Sequence, residues 1–389
     1  MRIIVLFLFL PLLFSCQSNN SYQTGTQNVP LYLDQQFISP TSSFTLETED
    51  EIFMLDDEMI YMVEHSINTT KNVEKKATKL LKQIFSKDNI ALSYASNANL
   101  TARETFHSQE ANCMSLTIMA YALAKRANLS VNFQQVDVPE YWIRNGQFSL
   151  LTGHVNLLVD TNSALNNRII YGRDKIQIDF DPYAVKQNFA RRVITKNRVV
   201  AMFYNNKGGQ AVVQHKYDVA YQYFKAATLK DKTFSPAWGN LAVLYRLNGN
   251  ISEAEQAYRY AIYINHNNLT SLTNLALLLR SQQKYKEAKK IESTLIQKRI
   301  ENPYYHALLA DEAYYKGNYS QALKHYKKAL RLNNKIHEIY FGIAKVYYEM
   351  DRLDDAESAM KKALSLNKAK SIEHQYIAKL NFLQAESVH

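Results

Sequence analysis

The strongest constraint in this chain is a self-similarity with a period of 34 residues. Stretches of that length starting at Ser235, Leu269, Pro303 and His337 follow one another without a gap. The eighth place of each holds Ala242, Ala276, Ala310 and Ala344, and the twentieth holds Ala254, Ala288, Ala322 and Ala356. A period of this length, with apolar residues at helical spacing, predicts two antiparallel helices per repeat. Small residues fall where the helix axes cross most closely. Large ones, in the first repeat Trp238, Leu241, Tyr245 and Tyr258, fill the space between layers. One such hairpin cannot bury its own apolar face, so stability has to come from stacking.

The pattern extends beyond the four full copies. "YDVAYQYFKAATLKD" keeps Ala220, Phe224 and Ala227 in phase with a second helix, and "SIEHQYIAKLNFLQ" keeps Ile377 and Ala378 in phase. The region 214–389 therefore divides into a half repeat (214–234), full repeats (235–268, 269–302, 303–336, 337–370) and a capping helix (371–384). Over about 214–384 it resembles the tetratricopeptide repeats. That resemblance implies an all-α solenoid whose groove holds a protein or peptide ligand or partner. Most of the 27 tyrosines are expected to pack between helices, so none is singled out as a groove residue.

The N-terminus carries a different signal. "MRIIVLFLFLPLLFSC" has a single basic residue, Arg2, an apolar run and a small Ser15 before Cys16. The run is shorter than the roughly 20 residues a spanning helix needs, so it is expected to be a cleavable export signal (1–15). "LFSC" resembles the lipobox of bacterial lipoproteins, which makes Cys16 the lipidation residue. Phe14 is bulkier than is usual there, and an ordinary signal peptide cut nearby is the plainer alternative. Gln17, in place of the Asp that marks inner-membrane retention, points to the outer membrane facing the periplasm. Residues 16–45 open with a polar, uncharged stretch expected to be a flexible tether. The excess of 46 basic over 36 acidic residues then suits anionic envelope components rather than nucleic acid.

Residues 46–205 carry the chemistry, if any is present. "EDEIFMLDDEMIYMVEHSI" and "NVEKKATKLLKQIFS" have helical periodicity. From Cys113, apolar residues at Met114, Leu116, Ile118, Met119, Tyr121, Ala122, Leu123 and Ala127 predict an almost wholly buried helix. "VNFQQVDV", "GHVNLLVD" and "KIQIDFDP" alternate as strands. A cysteine opening a core helix, then a histidine and an aspartate on later strands, resembles the transglutaminase-like branch of the papain-like cysteine enzymes. The approach "LTARETFHSQEANCMS" is similar to that of bacterial members followed by tetratricopeptide repeats. The resemblance covers about 90–185 and implies an α+β papain/transglutaminase-like domain ahead of the solenoid.

It also implies a catalytic triad of Cys113, His154 and Asp179, with Asp181 as the alternative aspartate. A thiol attacks as thiolate, and a helix N-terminus favours that form. His154 would complete the ion pair and protonate the leaving amine, while the aspartate orients the imidazole. An acyl-enzyme would then go to water or to an amine. The Cys113 backbone N–H is an expected oxyanion donor; Gln134 and Gln135 are open alternatives. Each residue also has a plainer reading, since a lone cysteine is more often packing than nucleophile. His107 beside Cys113 raises a metal, but no second cysteine in the body or HExxH helix supports one. No cofactor is expected, no phosphate loop or G-x-S-x-G occurs, and oligomeric state is not legible. Two functions follow. One is an envelope-anchored cysteine peptidase or amidase of transglutaminase-like type, presenting substrate on its repeats. The other is a non-enzymatic lipid-anchored adaptor or scaffold protein.

Overall fold

The structure, a computed structural model, describes residues 29–39, 43–85, 93–94, 98–108, 110–137, 142–145, 148–151, 153–160, 175–178, 190–367 and 370–386. Expectations for Cys16, for residues 1–28 and for both candidate aspartates, Asp179 and Asp181, fall outside these.

The N-terminal half is built of short capped helices around one long buried one. Its helices are α1 (Asp34–Phe37), α2 (Glu49–Phe53), α3 (Asp57–Met62, running into a π turn, Val63–Ile67), α4 (Val73–Phe85), α5 (Ala102–Ser108) and α6 (Cys113–Arg126). Its strands are β1 (Ser93–Tyr94), β2 (Glu110–Ala111), β3 (Ser130–Val136), β4 (Trp142–Asn145), β5 (Phe148–Leu151), β6 (His154–Asp160), β7 (Lys175–Ile178) and β8 (Arg191–Ile194). Thr48 and Glu51 form a capping box at α2, and Thr101 with Glu104 forms another at α5. The "TARE" run thus has a structural role, since it starts a helix. β7, β6, β3 and β8 make one antiparallel sheet in that order, while β4 and β5 pair apart from it.

α6 packs on that sheet as the buried helix its apolar run predicts. Ile118, Met119, Ala120, Leu123 and Ala124 are fully buried, and Tyr121 stacks on Phe133 of β3 at 4.2 Å. Burying each such large side chain is worth roughly 1.5–3 kcal/mol.

The C-terminal half is a stack of helical hairpins: α7 (Lys196–Val213) with α8 (Tyr217–Lys230), α9 (Ser235–Leu247) with α10 (Ile251–Ile264), and α11 (Leu269–Ser281) with α12 (Tyr285–Arg299). α13 (Pro303–Tyr315) with α14 (Tyr319–Leu332) and α15 (His337–Glu349) with α16 (Leu353–Leu366) complete it, capped by α17 (Lys370–Glu386). Helix starts coincide with the repeat starts at Ser235, Leu269, Pro303 and His337. The half repeat differs from expectation, because α7 supplies its first helix and makes it a whole hairpin. Gly208 stands one period before Ala242, and a Cβ there would lie 2.6 Å from the Phe224 ring. That near-contact explains the glycine. α7 also joins the two halves, since Val199, Val200 and Phe203 share the core of α6 while Ala211 and Val212 belong to the core of the stack.

Each hairpin turns in the same way. His215, Gly249, Gln283, Gly317 and Asp351, one per period, have φ of 59°, 82°, 62°, 75° and 58°. The following N–H closes on the carbonyl five residues back, as in Asn250 to Tyr245 at 2.9 Å and Lys284 to Leu279 at 2.8 Å. This is the left-handed helix ending that satisfies otherwise orphaned carbonyls.

Candidate functional site

The first candidate surrounds Cys113. Asn112 caps α6 by accepting from the Ser115 N–H at 2.9 Å, and its Nδ2 donates to Asn99 at 2.9 Å. Ser115 Oγ in turn accepts from the Leu100 N–H at 3.0 Å. These bonds stitch the 98–101 loop to the start of the helix. Cys113 is therefore the first helical residue, half-buried and a free thiol. One turn on, Thr117 donates to the Cys113 carbonyl at 2.7 Å and to the Val155 carbonyl at 3.2 Å. The beginning of α6 and the beginning of β6 thus lie side by side.

His154, the residue before Val155, is 4% exposed and opens β6 opposite Val136. The alternation along strands assigns its face. Phe133, which stacks on α6, pairs with Leu157, so Val155 and Leu157 turn toward α6. His154 and the fully buried Asn156 turn to the other face, beside Gln134. Gln134 is itself buried, and its Oε1 has no hydrogen-bond partner among the described residues. Gln135 instead accepts from Arg192 at 3.1 Å. His107 is engaged elsewhere, with Nε2 2.6 Å from Asp56 Oδ2. Against the cost of burial, His107 and the Met59 N–H hold the Asp56 carboxyl below its ordinary range. Among the described residues, no group of three or more metal-ligating side chains converges.

The second candidate is the surface of the hairpin stack. The stack buries Tyr221, Tyr245, Tyr258 and Tyr326 completely, so these rings are packing. Burial lifts the Tyr258 phenol to about 12. Tyr263, Tyr285 and Tyr315 are exposed. Models of the tetratricopeptide repeat match residues 235–268, 268–295 and 337–370, and a further repeat model of that kind matches 310–351. The C-terminal region is an array of tetratricopeptide repeats.

Solved structures similar to part of the chain include a thermophilic tetratricopeptide protein of Thermus thermophilus. It is 21% identical over 46% of this chain and 98% of that one, with a TM-score of 0.30. MamA of Desulfovibrio magneticus is 14% identical over 43% of this chain and 94% of that one, with a TM-score of 0.26. PilF of Pseudomonas aeruginosa is 18% identical over 49% and 90%, with a TM-score of 0.30. No curated protein matches the chain.

One part of the tetratricopeptide surface is already occupied, by a segment within residues 16–45, which were expected to be a tether. Residues 31–38 lie along α8 and α9. Phe37 stacks on Tyr221 at 4.7 Å, and Tyr32 stacks on Trp238 at 6.0 Å. Asp34 accepts from Lys225 at 2.7 Å and from the Tyr221 hydroxyl at 2.7 Å, and the Tyr245 hydroxyl donates to the Leu31 carbonyl at 2.9 Å. The Lys225 and Tyr221 hydrogen bonds hold the Asp34 carboxyl below its usual range. The available signal was "LYLDQQFI", which is rich in large apolar residues directly after a polar run.

Proposed function

We propose that the chain is a tetratricopeptide adaptor, in which the α7–α17 array binds a protein or peptide partner and the N-terminal α+β half serves as its structural base. The observation that carries this reading is the array itself: five hairpins in one period, with α7 contributing side chains both to the core of α6 and to that of the first hairpins. Stacked hairpins create an extended surface of the kind such arrays use for binding. The occupied stretch on α8 and α9 supports the reading, because it is a short segment from outside the array, with one helical turn at Asp34–Phe37, seated on this surface. Photo-crosslinking residues placed singly at exposed Tyr285, Tyr315 and Tyr348 test it in cells. The same partner is expected from neighbouring positions. Absence of any specific adduct from every repeat position overturns the adaptor.

A second reading, the transglutaminase-like cysteine enzyme, draws support from Cys113 as the half-buried first residue of a capped helix beside β6. It requires the His154 imidazole to reach round the end of the sheet to the thiol, with Asp179 or Asp181 behind it. A thiol-directed probe compares the natural chain with Cys113→Ala and His154→Ala. Labelling that depends on Cys113 but ignores His154 removes this reading. The lipid anchor at Cys16, with attachment to the outer membrane, is proposed from the leader sequence alone. Radiolabelled lipid that still attaches to Cys16→Ala contradicts it.

A further inference from the structure

The segment seated on α8 and α9 shows what chemistry this array binds, and the 34-residue period shows where else that seat recurs. Three periods on, 102 residues later, α14 and α15 occupy the same relation as α8 and α9. Trp238 donates its indole N–H to the Lys232 carbonyl at 3.0 Å, and Tyr340 donates its hydroxyl to the Asn334 carbonyl, its counterpart, at 3.1 Å. Lys225, which holds Asp34, corresponds to Lys327. Tyr245, which donates to the Leu31 carbonyl, corresponds to Tyr347. Tyr221 corresponds to Leu323 and Thr228 to Leu330, so the second seat has an apolar floor without the two hydroxyls that bond Asp34 and Tyr32 in the first, and its acid would be held by the lysine and its neighbours.

Exposure distinguishes the two places. Beneath residues 31–38, Trp238 is 1% and Tyr245 0% exposed. Tyr340 and Tyr347 are only half-buried, and Lys327 is exposed. The seats between have lost the chemistry. On α10 and α11, Glu255 replaces Tyr221, and Arg259 is tied to Glu255 and Glu287 at 2.7 and 2.9 Å. Leu272 and Leu279 replace the two aromatics there and are buried. On α12 and α13, Ser293 replaces the lysine, and Ala313 stands in place of Tyr245.

We infer that α14 and α15 form a second peptide seat, which takes a partner segment of the chemistry and local turn seen in residues 32–37: an aromatic, an acid two residues on and, across one helical turn, an aromatic three further. Charge favours the acid, since α14 carries Lys324, Lys327, Lys328 and Arg331 and no acidic residue. The chain's own segment is an unsuitable occupant. It is held on its own seat by two stacked rings and five hydrogen bonds among Leu31, Tyr32, Asp34 and their partners, all of which a swap would break. The inference rests on the adaptor reading and names the partner's chemistry.

A fluorescent peptide of residues 29–39, titrated into the full chain and followed by anisotropy, is the test. One saturable site is expected, weakened at least about fivefold by Lys327→Glu, a change at an exposed residue that leaves the fold intact by circular dichroism. Tyr347→Ala should weaken it by about tenfold. Peptide carrying Asp34→Lys should bind poorly to the natural chain and better to Lys327→Glu. No binding up to about 1 mM, a weak limit for a specific peptide contact, overturns the seat. So does binding that is lost in Lys225→Glu but indifferent to Lys327, which is exchange at the first seat. A dimer of the chain that Phe37→Ala abolishes also overturns it, in favour of self-association. Crosslinking at other repeat positions reads the adaptor independently, so failure of this seat and failure of that reading are separable.

Discussion

Single residues in this array answer to the period, and two of them occupy their places at a cost to stability. At the turn position Gly249 and Gly317 adopt φ of 82° and 75° without a side-chain penalty, whereas Gln283 takes φ 62° with a Cβ. A left-handed residue other than glycine costs roughly 1–2 kcal/mol. Gln283→Gly is therefore expected to stabilise the chain by about 1 kcal/mol, net of glycine's greater freedom when unfolded. Chemical denaturation reads this directly, and an unchanged or lower midpoint refutes it. The second residue is His306. It is 3% exposed, its Nε2 lies 2.9 Å from the Ile300 carbonyl, and its Nδ1 has no partner among the described residues. Burial, the chief cause, and the nearby Lys328 and Arg331 hold its imidazole below the ordinary value, against the Ile300 hydrogen bond. His325, stacked 6.3 Å away, is likewise pushed down by burial. The folded chain thus takes up these protons at lower pH than the unfolded chain, which does so near ~6.5. Their contribution is intact above that pH and is lost as pH falls below it toward the lower folded value. The melting temperature should drop between pH 7.5 and pH 5.5, and His306→Phe should flatten part of that drop. A profile identical to the natural chain's would place the acid sensitivity elsewhere.

Among elements, the segment at residues 31–38 is the clearest test of how local and distant information divide. Its contacts with α8 and α9 make Phe37 a plug over Tyr221 and Tyr245. Phe37→Ala should release the segment while leaving the repeats folded, because each hairpin keeps its own internal packing. With Trp142 replaced by Phe, acrylamide should then quench Trp238 more strongly, since Tyr32 no longer covers its ring. Quenching unchanged by Phe37→Ala would mean the segment is held without its plug. This contact was not legible in the sequence because its partners lie 187 to 214 residues away, and no periodicity links them. The repeats were legible for the converse reason: every hairpin restates the same small and large places. α7 is not legible as a repeat helix because Lys207 occupies the place of Leu241, which hides its phase. At Cys113 the helix start was readable from the apolar run, while the Asn112 cap emerges only in the structure. The strand parity that turns His154 from the α6 face comes only from the pairing of β3 with β6.

For the whole molecule, one junction in the array stands apart. Where successive hairpins meet, the second helix presents Ala227, Ala261, Ala329 and Ala363, one per period, each fully buried. The α12 counterpart is Leu295, and Glu292 replaces the line of Phe224, Tyr258, Tyr326 and Met360. A leucine stands where an alanine lets the helices of the other junctions close, α12 and α13 touch less than the other neighbouring hairpins do, and Glu292 turns away to Arg280 at 2.7 Å. The buried core divides there. One cluster of buried residues runs from Phe37 to Leu295, and another from Ala310 to Leu383. Stacked repeats couple only through such nearest-neighbour interfaces, so a weak one separates the array into two cooperative units. Denaturation should accordingly show two transitions, and hydrogen exchange should find the amides of α13–α17 opening together while α7–α11 remain protected. Glu292→Tyr combined with Leu295→Ala restores the repeated pair and should fuse the transitions into one. A single coincident transition in the natural chain, by both fluorescence and hydrogen exchange, would show that the junction couples as tightly as its neighbours. Two units would also make the two peptide seats independent, because the first lies on α8 and α9 and the second on α14 and α15. Occupancy of one would then leave affinity at the other unchanged in the natural chain.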